Sequence, residues 1–149
     1  MSAGRICVRE VDVISPEESV QVAAARMHDR KVGTLVVLND DRVPVGIVTD
    51  RDLTVRVLAE GRDGTQTAVA EVMTSSPKTV SEGTPIEDAL GLMRVGSFRR
   101  VPVLDADGRL AGLLSLDDIL DLLAEEFQDI GRLLRQEQPS TLGTSASNG

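Results

Sequence analysis

Two short stretches of this chain place a carboxylate three residues after a hydroxyl: Thr49 with Asp52, and Ser115 with Asp118. Each follows an apolar run and opens a helical pattern, so each sits where a strand turns into a helix. The unpaired N–H groups and partial positive charge of a helix N-terminus favour anions such as phosphate. A hydroxyl at that point can join a phosphate site. A carboxylate that accepts from two neighbouring hydroxyls suits a ribose diol, as the acidic residue does in dinucleotide folds. The same spacing is also that of a helix capping box. Taken singly, neither motif separates a ligand site from a cap. Asp50 and Asp117 beside them read as first-turn carboxylates on solvated helix ends.

The two motifs are related by a constant distance, since 115 − 49 and 118 − 52 are both 66. Residues 14–53 lie on residues 80–119 without a gap. Ser15 falls on Ser81, Ala23 on Ala89, Met27 on Met93, Asp41 on Asp107 and Gly46 on Gly112. Val20 meets Ile86, Ile47 meets Leu113 and Leu53 meets Ile119, so apolar character persists where identity does not. An ungapped register of this length is an internal duplication.

Each copy reads as β-α-β-β-α. Residues 11–15 and 78–81 are short strand candidates. The stripe Val20, Ala23, Ala24, Met27 and its counterpart Ile86, Ala89, Leu90, Met93 predict amphipathic helices. Thr84-Pro85-Ile86-Glu87 predicts a capping box with proline in the first helical position. Residues 34–38 and 101–104 read as buried strands. Turns at 39–41 and 105–108 and strands at 45–49 and 111–115 complete two hairpins. The fold class is α+β, with the first copy in residues 1–68, the second in 69–136, and a disordered polar tail in 137–149.

Composition narrows the function. The chain has 149 residues, 41% of them apolar, a net charge of -8, two Phe and no Trp or Tyr. An acidic chain without stacking aromatics is a poor match for nucleic acid. One cysteine, Cys7, and one histidine, His28, provide neither a disulfide framework nor a thiolate–imidazole zinc set, so no metal is expected. Cys7 reads as a small buried hydrophobe and His28 as a surface residue. No stretch reaches the ~18–20 apolar residues of a membrane span, which makes the cytoplasm the default compartment. No His or Cys stands beside a nucleophile, and no Walker-type loop occurs, so an enzyme is not expected and no cofactor is required. The predicted last helix, residues 116–136, carries Ile119, Leu120, Leu123, Phe127, Ile130, Leu133 and Leu134, more apolar surface than one small domain covers. That surplus predicts a partner surface and a homodimer.

The stretches GIVTDRDL (residues 46–53), GLLSLDDI (112–119), RRVPVLDADGRLAG (99–112) and VMTSSPKTV (72–80) together resemble the CBS domain family, named for cystathionine beta-synthase. The resemblance covers roughly residues 6–124. It implies two repeats packed sheet to sheet as one pseudo-twofold pair with two clefts, and pairs that associate as dimers. It also implies a module that senses AMP, ADP, ATP or S-adenosylmethionine on behalf of another protein, here an unidentified regulated partner.

Carried over residue by residue, the family pattern places Arg100 and Ser115 on a ligand phosphate and Asp118 on the ribose. Residues 7–12, among them Asp12, and Val32 would then hold the base of that second-copy cleft. Thr49 and Asp52 form the first-copy cleft, flanked by residues 73–78, with Lys78, and by Phe98. Arg100 falls on Thr34 and Arg99 on Gly33 under the 66-residue shift, so the second-copy cleft is expected to be the stronger phosphate site. Arg99 and Arg100 also read as solvated strand-edge charges, and Phe98 as a core residue. The competing function is a ligand-free dimerisation or docking module with vestigial clefts.

Overall fold

The computed structural model describes residues 1–137, so residues 138–149 of the expected polar tail lie outside the described residues. Glu137, expected to open that tail, instead ends the last helix.

The chain runs α1 (Ala3–Ile6), β1 (Val13–Ile14), α2 (Val20–Arg30), β2 (Thr34–Leu38), β3 (Pro44–Thr49) and α3 (Asp50–Leu53). A π-turn follows at Thr54–Leu58. Then come α4 (Val69–Val72), β4 (Thr74–Ser75), β5 (Val80–Ser81), α5 (Ile86–Gly96), β6 (Arg100–Leu104), β7 (Leu110–Ser115) and α6 (Leu116–Glu137).

The strands make two sheets, ordered β1-β2-β3-β4 and β5-β6-β7. Within each sheet the first strand is parallel to the second and the hairpin that follows is antiparallel. The turn chemistry repeats as well. Asn39 Oδ1 accepts from the amides of Asp41 and Val43, and Asp105 Oδ1 from those of Asp107 and Arg109. Arg42 and Gly108, 66 residues apart, both take positive φ to close their turns, at 63° and 79°. A left-handed residue costs glycine nothing and arginine some strain, so the second turn is the better matched to its geometry.

Each copy has its own aliphatic core. Ile14, Val20, Ala23, Met27, Leu35, Val37 and Val48 fill the first; Val80, Ile86, Ala89, Met93, Val101, Val103, Leu114 and Ile119 fill the second. Val36, Leu38 and Leu110 form a third cluster with Val11, Val13 and Leu113 and join the sheets face to face. Cys7 is buried as expected, and His28 is exposed.

The sequence copies and the packed cores do not coincide at their N-terminal ends. Ala3 and Cys7 belong to the second core, whereas Val69 and Val72 belong to the first. These segments are again 66 residues apart, and each acts as a peg in the copy that it does not precede. Val8 bridges antiparallel to Leu113, as Thr74 does to Ile47. Gly112 and Gly46 allow this approach: a Cβ on Gly112 would lie 2.5 Å from Cys7 Sγ and 2.8 Å from the Val8 carbonyl oxygen.

The peg also corrects the expected start of α5. Thr84 does not cap it: Thr84 Oγ1 accepts from the Ser81 amide at 3.0 Å, and Pro85 takes the cap position with no side-chain bond. The Ile86 amide donates to the Met1 carbonyl at 3.1 Å, and the Ala3 amide donates to the Thr84 carbonyl at 2.8 Å. Backbone from the N-terminus satisfies the helix end that a side chain was expected to serve.

Candidate functional site

The β3–α3 and β7–α6 junctions carry the two hydroxyl–carboxylate motifs, and both form reciprocal capping boxes. The Asp52 amide donates to Thr49 Oγ1 at 3.2 Å while the Thr49 amide donates to Asp52 Oδ2 at 2.9 Å. The Asp118 amide donates to Ser115 Oγ at 3.1 Å while the Ser115 amide donates to Asp118 Oδ2 at 3.1 Å. The structural reading of the spacing is therefore fulfilled. It uses one carboxylate oxygen of each aspartate and leaves Oδ1. In the first copy Oδ1 faces Arg56 Nε at 3.7 Å; Leu122 stands at the equivalent place in the second.

Both motifs open onto cavities between the copies. The first-copy cleft encloses about 430 Å³ and is lined by Thr34, Ile47, Thr49 and Asp52, by Thr74, Ser76, Pro77 and Lys78, and by Gly96, Phe98, Arg99 and Arg100. The second-copy cleft encloses about 360 Å³ and is lined by Val8, Glu10, Val11 and Asp12, by Lys31, Val32, Gly33 and Thr34, and by Arg100, Leu113, Ser115 and Asp118. The linings correspond under the 66-residue shift: Thr74 replaces Val8, Lys78 replaces Asp12, Phe98 replaces Val32 and Ile47 replaces Leu113. Volumes of this order fit a small-molecule ligand.

Every residue singled out from the sequence lines the cleft assigned to it. Arg100, Ser115, Asp118, Val32 and Asp12 lie around the second-copy cleft, and Thr49, Asp52, Phe98 and Lys78 around the first. Phe98 lines the first-copy cleft and also packs partly against the second core. Arg99 is exposed and lies 3.7 Å from Asp117.

Sequence reasoning missed that Thr34 and Arg100 each line both clefts. The signal was present, because positions equivalent under a pseudo-twofold and facing its axis must serve both sites. This removes the geometric ground on which the asymmetry was expected. Arg100 gives the second-copy cleft no exclusive cation, and the first-copy cleft adds Lys78 and Arg99. Its lining holds three cations against Asp52 alone; the second holds Lys31 and Arg100 against Glu10, Asp12 and Asp118. Asp12 is 18% exposed and accepts from Arg30 Nε at 2.7 Å, a bond that raises the guanidinium pKa further. Among the described residues no group of three or more His, Cys, Asp or Glu is placed to hold a metal.

The fold and its paired clefts define a tandem-repeat module with two pseudo-equivalent pockets. The CBS domain model matches residues 3–59 and 69–125, and the chain belongs to the CBS domain family. The two matched spans are themselves offset by 66 residues and include both pegs.

Among curated relatives, the CBS domain-containing protein YhcV of Bacillus subtilis is 37% identical over 110 residues, spanning 74% of this chain and 76% of that protein. The uncharacterized protein MK0525 of Methanopyrus kandleri is 31% identical over 122 residues, which is 82% of this chain but 62% of its own length. Among solved structures, CBSX2 in complex with AMP is 32% identical with a TM-score of 0.71, over 83% of this chain and 96% of that one.

Proposed function

We propose that this chain is a regulatory sensing module that binds an adenine nucleotide or adenosyl compound, AMP, ADP, ATP or S-adenosylmethionine, in its inter-repeat clefts and thereby alters a partner protein. One observation carries the reading. Each cleft combines a helix-terminal hydroxyl, an aspartate with one oxygen outside the cap, and the shared guanidinium of Arg100. These are acceptors for a ribose diol and donors for a phosphate, facing one cavity. The AMP complex of CBSX2 supports it by similarity. The reading assigns the module no catalysis. Ligand acts by binding one arrangement of the repeats more tightly than another.

The competing reading, a ligand-free docking module, has both completed capping boxes in its favour. A thermal-shift panel of the five compounds AMP, ADP, ATP, adenosine and S-adenosylmethionine separates the two. Ligand at about 100 times Kd adds about 2.7 kcal/mol, a shift of several degrees for a chain of this size. Asp52→Ala and Asp118→Ala together should abolish the shift. A double variant that melts lower without ligand but keeps the full ligand shift reduces both aspartates to caps and overturns their place in the site, whereas an unaltered chain that none of the five compounds shifts ends the proposal.

The module works as a homodimer joined through α6. Leu116, Leu120, Leu123, Phe127, Ile130 and Leu134 follow one another at alternating spacings of four and three, the seam of a coiled coil. Phe127 is 71% exposed and Leu134 60%. Six acidic residues occupy 117–129, whereas Arg132 and Arg135 lie beyond, so a second copy running antiparallel sets acid against base.

A further inference from the structure

We infer that the two clefts sort their ligands by charge: the first-copy cleft takes a phosphorylated adenosine, and the second-copy cleft takes an adenosyl compound without net negative charge. The inference rests on the adenosyl reading above and adds a division of labour to it. Three pairs of equivalent positions carry the difference. Lys78 in the first cleft is replaced by Asp12 in the second, Ser76 by Glu10, and Arg99 by Gly33. Lys31 in place of Ser97 and Arg30 in place of Gly96 run in the opposite direction, and Arg30 is engaged with Asp12. Summed over the lining side chains, the first cleft stands at 3 − 1 = +2 and the second at 2 − 3 = −1.

The side-chain contacts keep these charges distinct. Among the described residues Lys78 has no carboxylate within ion-pair distance, so its charge is available to a ligand. Asp12 is pinned to the wall by Arg30, which lies outside the cleft lining and offsets the Asp12 charge, so the second cleft stands near neutral against a positive first cleft. A dianionic phosphate entering the second cleft therefore meets Arg100 and Lys31 opposed by the carboxylates of Glu10 and Asp12. The same group entering the first cleft meets Arg100 with a free ammonium. Both clefts open to solvent, so the discrimination is one of several screened charges and falls as salt rises. Neutral adenosine keeps its ribose acceptor, Asp52 or Asp118, in either cleft.

The test isolates each cleft by removing the ribose acceptor of the other. Asp118→Ala leaves the first cleft, Asp52→Ala the second, and each is titrated calorimetrically with adenosine, AMP and S-adenosylmethionine at low and high salt. Asp118→Ala should bind AMP at least about tenfold tighter than adenosine, with the ratio shrinking in high salt. Asp52→Ala should bind adenosine or S-adenosylmethionine at least as tightly as AMP, and adding Asp12→Lys should return its preference to AMP. The same AMP preference in both single variants overturns the inference. So does an Asp52→Ala protein that binds none of the three while the unaltered chain binds AMP. An unaltered chain that binds none of them removes the adenosyl reading itself, and this one with it. Should an alanine variant fail to fold for want of its cap, Asp→Asn keeps the cap acceptor and permits the same comparison.

Discussion

Thr34 and Arg100 are the same position in the two repeats, and each lines both clefts. Thr34 opposes Thr49 in the first hairpin and Arg100 opposes Ser115 in the second. The two hydroxyl motifs are thereby brought within the shared neighbourhood of a single guanidinium. Arg100→Ala should weaken AMP in the first-copy cleft by about 1.5–3 kcal/mol, the range for a bond to a charged group, and leave adenosine nearly unchanged. Calorimetry with both ligands checks this; equal losses for AMP and adenosine would mean that Arg100 shapes the cavity and does not hold the phosphate.

Gly112→Ala should destabilise the fold by about 1–3 kcal/mol, the usual cost of overpacking. The new methyl would meet the Val8 carbonyl oxygen, a backbone atom 2.8 Å away, and displace the peg. Gly46→Ala should cost less, because its principal clash is with the flexible Met73 thioether and the Thr74 carbonyl oxygen is 3.1 Å away. Urea melts of the two variants compare them directly.

Leu123→Asp with Phe127→Asp should shift the chain to a monomer in sedimentation at micromolar concentration. Leu123 and Phe127 are 39% and 71% exposed, so the substitutions leave the core of each copy intact. An unchanged sedimentation coefficient would exclude this face as the interface.

Glu18 ties the start of α2 to its second turn and β1: its carboxylate accepts from the Ser15 amide and from Arg26, which also donates to the Val13 carbonyl. The Arg26 bond, followed by the Ser15 amide, holds the carboxyl below its ordinary 4.5. A depressed folded pKa contributes stability that is present above the unfolded value and is lost as pH falls through the folded one. Glu18→Gln should therefore melt below the unaltered chain at pH 7, and the gap should close as pH drops below 4.5. A gap independent of pH would assign the effect to packing.

The sequence made the duplication legible from Ile14 onward because buried strands and helix stripes preserve apolar character at fixed spacing. The clefts were legible to the same extent, since Thr49, Asp52, Ser115 and Asp118 repeat in type and offset. The pegs were not. Ala3 and Val69, Ile6 and Val72, and Cys7 and Met73 share only small or apolar character, and no identity marks them. Thr84 misled because a side-chain cap and a backbone cap leave the same local sequence, and only the long-range approach of Met1 distinguishes them. The π-turn at Thr54–Leu58, closed by the Ala59 amide donating to the Thr54 carbonyl at 2.9 Å, also had no sequence mark. Its counterpart in α6 continues as a regular helix.

The crossed pegs bear on how such a chain arises. A solitary repeat with its N-terminal arm attached could not close its own core in this geometry, because the arm seats in the neighbouring copy. Two separate, identical repeats could trade arms and each be completed by the other, as in an obligate domain-swapped pair. The segment around Gly61–Gln66 joins the two repeats, so the exchange of arms takes place within one polypeptide. A cut in this segment should then leave two fragments that refold together and not apart, each carrying the arm that the other lacks.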